Sequence, residues 1–152
     1  MRGRLRQAAE MYQQSWELAD ASARTRHEYP HIQHAALLLM EGEVKQAQSE
    51  LEPQIDSLRT YGGDPWQLAT ALGGLGDVQK SAGDFEGARK SYQAAGSSLK
   101  KANSSAAGVQ VSLAELSIAE GHPEVAESLV REAIADFEKD KSAGEELGVT
   151  RR

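Results

Sequence analysis

The chain has no cysteine, only four prolines, and aromatic residues at 5% of its 152 positions. Without cysteine there is no disulfide framework, no thiol nucleophile and no cysteine zinc site. A disulfide-stapled secreted module is thereby excluded. Long apolar runs are missing as well. The longest, Ala35 to Met40, has six residues, whereas a transmembrane helix needs about 20. The opening Met1-Arg2-Gly3-Arg4-Leu5-Arg6 turns polar at once, with no apolar stretch to serve as a signal peptide. A cytoplasmic location is the expectation. Excess positive charge is absent too: 17 Lys and Arg against 23 Asp and Glu give −6. Each half carries −3, from 7 bases and 10 acids in residues 1–76 and 10 bases and 13 acids in residues 77–152. Evenly spread negative charge argues against a nucleic-acid partner held through phosphates.

What the chain has in abundance is alanine, 23 residues of it. Such a composition packs helices closely through small side chains and offers few β-branched runs for a sheet. At this length it fits one domain with a core of useful size.

Four Gly-x-x-x-x-Ala segments recur: Gly3 with Ala8, Gly42 with Ala47, Gly83 with Ala88, and Gly121 with Ala126. Successive glycines are 39, 41 and 38 residues apart, a near-constant period that signals stacked repeats. Two positions after each glycine stand Leu5, Val44, Phe85 and Pro123. Nine positions after stand Tyr12, Leu51, Tyr92 and Val130, and twelve after stand Ser15, Gln54, Ala95 and Ala133. These offsets have helical spacing. A second helical pattern precedes each glycine, with Leu75-Gly76, Leu113-Ala114 and His34-Ala35 in matching places. The glycine therefore sits at a turn between two helices, where it can take a positive φ. Asp84 follows as an N-cap, and Pro123 fits a first helical turn. Gly62-Gly63-Asp64-Pro65 forms a loop ending in a capped helix start, Ala102-Asn103-Ser104-Ser105 forms another loop, and Pro30 marks a helix start near His31. The pattern predicts helices at 4–25, 31–41, 43–60, 65–82, 85–101, 105–120 and 123–140, with a short last helix beginning near Gly144, and no strand.

These columns resemble the tetratricopeptide repeat (TPR) signature. The third unit carries it best, with Leu72, Leu75, Gly76, Gly83, Phe85, Ala88, Tyr92 and Ala95. The fourth keeps Leu113, Ala114, Gly121, Ala126 and Ala133, and the second is weaker, with His34 and Gln54 where Leu and Ala are usual. The resemblance covers nearly the whole chain. It implies an all-α, right-handed α-solenoid of antiparallel helix pairs, about seven helices in one domain over residues 1–152. The second helix of a partial repeat falls at 1–27, repeats follow at 28–63, 64–103 and 104–141, and residues 142–152 start a capping or next helix. The period exceeds the usual one, which is similar to the long-repeat arrays of bacterial signalling proteins. The chain opens in mid-repeat, so a fragment of a longer array is expected. Otherwise Leu5, Met11 and Trp16 have one side uncovered, and that open N-terminal end is a candidate surface for homo-oligomerisation.

Candidates for chemistry fare poorly. His27, His31 and His34 lie close together, but Pro30 breaks the geometry between His27 and the other two, and no metal site is assigned. His122 is read as a turn residue. No nucleophile motif or phosphate loop is present, so neither an enzyme nor a cofactor is expected. Gly73-Gly74 inside a helix is read as close packing, with an opening for a ligand backbone as the alternative. Arg2, Arg4, Arg6, Arg24 and Arg26 are read as surface residues. Membrane binding by the amphipathic 123–140 segment is not expected, because its Val125, Leu129, Ala133 and Phe137 fit core patterning.

The resemblance implies a non-catalytic scaffold for a protein or peptide partner, or a regulatory segment of a larger signalling protein such as a kinase or transcription regulator, or a self-associating spacer. It also implies a concave groove lined by the first helix of each pair. The corresponding residues are Tyr29, Ile32, Ala36 and Leu39 in the second unit, Thr70, Gly73, Asp77 and Lys80 in the third, and Gly108, Val111, Glu115 and Ile118 in the fourth. With Lys80 the sole cation among them, a carboxylate clamp is not expected, and an apolar or amphipathic peptide or helix is the better fit. The alternative is that Ile32, Leu39 and Val111 belong partly to the core, with no ligand.

Overall fold

The computed structural model describes residues 29–146, and side-chain burial within 32–139. Helix 4–25, the partial repeat at 1–27 and the candidate N-terminal association surface lie outside the described residues. The six remaining helices form where the pattern places them: α1 (Tyr29–Glu41), α2 (Val44–Tyr61), α3 (Pro65–Ser81), α4 (Phe85–Lys101), α5 (Ala107–Ala119) and α6 (Pro123–Glu146). No strand occurs among the described residues. Each helix packs on the next in sequence, and α1 also touches α3. This is the neighbour-only contact pattern of a helical solenoid. None of these helices is long and apolar enough to cross a membrane.

Every connection turns on one residue of positive φ. Gly42, Gly62, Gly83 and Gly121 have φ of 87°, 72°, 80° and 83°, and Asn103 fills the same role between α4 and α5 at 51°. The left-handed conformation lets the chain reverse within two or three residues at the glycines and within five at Asn103, and leaves the last helical carbonyls bonded, as in Asp84 N–H to Gln79 O at 2.9 Å. Asp64 and Asp84 cap α3 and α4, accepting from Trp66 N at 3.0 Å and Gly87 N at 2.9 Å.

One departure from the sequence expectation stands out. The last helix does not end at 140 but runs through Glu146, so Gly144 lies inside it rather than opening a further helix. A glycine costs a helix about 1 kcal/mol but does not break it, and no proline follows to stop it. Pro53 sits inside α2 on its exposed side. The hydrogen bond it cannot donate belongs to the Ser49 carbonyl, also at an exposed position, where water can serve instead.

The core runs along the stack. Ala35 and Leu38 of α1, Leu51, Ile55 and Leu58 of α2, and Ala69, Ala71 and Leu72 of α3 form one buried cluster that reaches Ala95 of α4. Ala88 and Tyr92 of α4 meet Leu116 of α5 in a second. The alanine columns mark the points of closest helix approach: Ala47, Ala88 and Ala126 are all buried, as are Ala95 and Ala133.

Candidate functional site

The third and fourth helix pairs leave an open space between their first helices. This cleft of about 290 Å³ has one wall on α3, from Trp66, Ala69, Thr70, Gly73 and Asp77. The facing wall comes from Gly108, Val109 and Ser112 of α5 with Ser105 ahead of it, and Tyr92 and Leu99 of α4 close the back. Its size follows from two glycines. A Cβ on Gly73 or on Gly108 would find no atom within 4 Å. Any larger side chain at either position would project into the space.

One end of the cleft is polar. The Tyr92 hydroxyl donates to Asp77 Oδ1 at 2.6 Å. Burial pushes the Tyr92 phenol well above its ordinary range, and the hydrogen bond to Asp77 and the Asp77 and Glu115 charges add to the rise. Lys80 donates to Glu115 Oε2 at 3.0 Å and lies 3.9 Å from Asp77 Oδ1, tying α3 to α5. Arg89 of α4 pairs with Glu120 at the end of α5 and ties those two helices together. The walls carry hydroxyls turned to their own helices, Thr70 Oγ1 to Trp66 O at 2.9 Å and Ser112 Oγ to Gly108 O at 3.3 Å. Each keeps lone pairs to accept from a ligand. The other end is bordered by Trp66, whose indole is partly exposed.

The residues singled out from sequence divide accordingly. Thr70, Gly73 and Asp77 come together in the cleft, as does Gly108. Lys80 and Glu115 stand at its edge as an ion pair. Val111 and Ile118 are exposed on α5 but do not line it. Ile32 and Leu39 are half-buried against the core, while Ala36 is exposed. Tyr29 opens α1, and its side chain lies outside the described residues. Of the histidines, His34 pairs with Glu50 through Nδ1 and Oε1 at 2.7 Å. The lining residues Trp66, Ala69, Tyr92, Leu99, Ser105, Val109 and Ser112 were not anticipated. Three of them carried a signal. Trp66 is one turn before Thr70 on the same helix face, Ser112 is one turn after Gly108, and Tyr92 has a polar tip on a core-column position.

No protein-family model matches the chain, and no curated protein matches it. Among solved structures, it is similar to the crystal structure of the TPR domain of Arabidopsis FLU, with a TM-score of 0.66 at 18% sequence identity. The alignment covers 76% of this chain and 98% of that one. At that identity the likeness shows the fold, a TPR-like helical solenoid.

Proposed function

We propose that the chain is a non-catalytic interaction scaffold and that the α3–α5 cleft receives a segment of a protein partner. The observation that carries this is the pair of walls held back by Gly73 and Gly108, with open space above each backbone. Interior helical glycine costs about 1 kcal/mol against alanine, and at Gly73 no close packing accounts for it; Gly108 stands in the first turn of α5 and also meets no neighbour. The cleft's middle takes an apolar side chain beside Trp66, Ala69 and Val109, and its far end offers Asp77 and Glu115 to a donor. Lys80 is engaged by both carboxylates, which supports an apolar or amphipathic peptide rather than a free carboxylate as ligand. The 38- to 41-residue spacing of the turn glycines favours the long-repeat type of array and, with it, service inside a larger regulatory assembly.

The test is selection of a displayed peptide library on the immobilised chain, repeated on Gly73→Leu and Gly108→Leu variants. The Cβ of a leucine at either position meets no neighbour, and the rest of the side chain takes up space in the cleft. Peptides enriched on the parent and lost on both variants support the reading. Peptides enriched equally on all three would place binding elsewhere.

A further inference from the structure

The stack is not uniform along its length. Between the second and third helix pairs the first helices touch, α1 packing on α3. Leu51, Ile55 and Leu58 of α2 share a buried cluster there with Ala69, Ala71 and Leu72 of α3. Between the third and fourth pairs, α3 and α5 have no comparable packing. The cleft stands where that contact would be. What α5 buries on α4 is smaller: Leu116 beside Ala88 and Tyr92, rimmed by half-buried Phe85, Val109 and Leu113. At the crossing α4 offers Gly96, whose Cβ position is 3.6 Å from Val109 Cγ1. A glycine has no side chain to interlock with the facing helix, so it resists tilting less than Leu51 or Ile55 does. Within the fourth pair the join is firmer, since α5 packs far more extensively on α6 than on α4.

Charge spans the gap that packing leaves. Lys80, in the last turn of α3, lies between two carboxylates, 3.0 Å from Glu115 Oε2 on α5 and 3.9 Å from Asp77 Oδ1 on its own helix. Without its ammonium, Asp77 and Glu115 would repel each other across the end of the cleft. The Glu115 side chain is 61% exposed, so water and ions reach the pair and salt weakens it. Arg89 and Glu120 join α5 to α4, the helix it rests on, and do not span the cleft. We propose that α5 and α6 rock together on α4, and that the Lys80–Glu115 ion pair is the latch that sets the width of the α3–α5 cleft. Loss of the latch swings α5 away from α3. Any ion or ligand group that competes for Lys80 therefore opens the cleft. As control over a bound partner, the latch rests on the functional reading above; the rocking itself does not.

The absence of cysteine from the chain allows a direct test with nitroxide labels and double electron–electron resonance. One labelled pair, Met40→Cys on α1 and Ile118→Cys on α5, uses exposed positions on either side of the cleft. A second pair, Ser57→Cys on α2 and Ser97→Cys on α4, also exposed, reports on the stack ahead of the pivot. Lys80→Met should shift the 40–118 distribution outward, raising its long-distance fraction about two- to fivefold, the range expected for an exposed ion pair. Salt at about 1 M should shift the parent the same way. Glu115→Gln should shift it less than Lys80→Met, because it removes the attraction without leaving two facing carboxylates. The 57–97 distribution should stay put throughout, and a circular-dichroism melt of each variant checks that the fold is kept. A 40–118 distribution unmoved by Lys80→Met and by salt would overturn the proposal. So would a 57–97 distribution that broadens in step, because the whole stack would then be loosening. The distances are read without a peptide, so they stand or fall separately from peptide selection on the Gly73→Leu variant, which tests the cleft as a binding site.

Discussion

A Cβ on Gly76 would stand 2.5 Å from Cε1 of Tyr92. The absence of a side chain on α3 is therefore what lets the Tyr92 ring lie flat against that helix, fully buried, with its hydroxyl on Asp77 one residue further along. Three residues earlier, Gly73 faces open space. The same residue type on one helix thus does two different jobs.

Alanine at the two positions should have opposite effects. Gly76→Ala must displace the Tyr92 ring and is expected to destabilise the chain by about 1–3 kcal/mol despite the better helix former. Gly73→Ala meets nothing and should stabilise it by about 0.5–1 kcal/mol. Urea unfolding followed by circular dichroism checks both.

The Tyr92 hydroxyl bond to a carboxylate is charge-assisted, and the Asp77 side chain is about half exposed, so water can take the place of the donor. Tyr92→Phe should cost about 0.5–1.5 kcal/mol, measured in the same way.

The raised Tyr92 phenol also sets an alkaline limit. The unfolded chain loses this proton near pH 10, as an ordinary tyrosine does, while the folded chain retains it. Above that point the unfolded state binds fewer protons, so stability falls as pH rises. Below it the contribution is complete. Tyr92→Phe should flatten the loss of stability above about pH 10. A melt series across pH 8 to 11, parent beside variant, tests the sign.

Pro53 lies within α2 on the solvent side. Pro53→Ala restores a helical hydrogen bond and should stabilise the chain by about 1–3 kcal/mol, the interior-proline cost less the entropy that proline removes from the unfolded chain.

Much of this organisation was legible before any coordinates. The turn glycines at 42, 83 and 121, the caps at Asp64 and Asp84, and the buried alanine columns follow from local backbone and packing rules that one segment satisfies alone. Thr70, Gly73 and Asp77 line the α3–α5 cleft because the helices on both sides of them follow the repeat. Val111 and Ile118 occupy equivalent columns yet lie outside the cleft, because a column forms a groove only where the next pair faces it. The fate of Val130 has the same cause: its column is core in Leu51 and Tyr92 but exposed where no described helix follows. Asn103 stood in for a turn glycine, and its short polar side chain tolerates that conformation. Tyr92 was legible as core but not as cleft, since its column says that the ring is buried and nothing about where the hydroxyl ends.

The central claim is that the space between Gly73 and Gly108 is where a partner binds, and Trp66 reports on it directly. In a Trp16→Phe background Trp66 is the single tryptophan, and a peptide selected on the chain is titrated while its emission is followed. The account predicts a saturable change in Trp66 emission that Gly73→Leu abolishes. Binding seen by an independent method, with Trp66 emission unmoved and Gly73→Leu without effect, would contradict it.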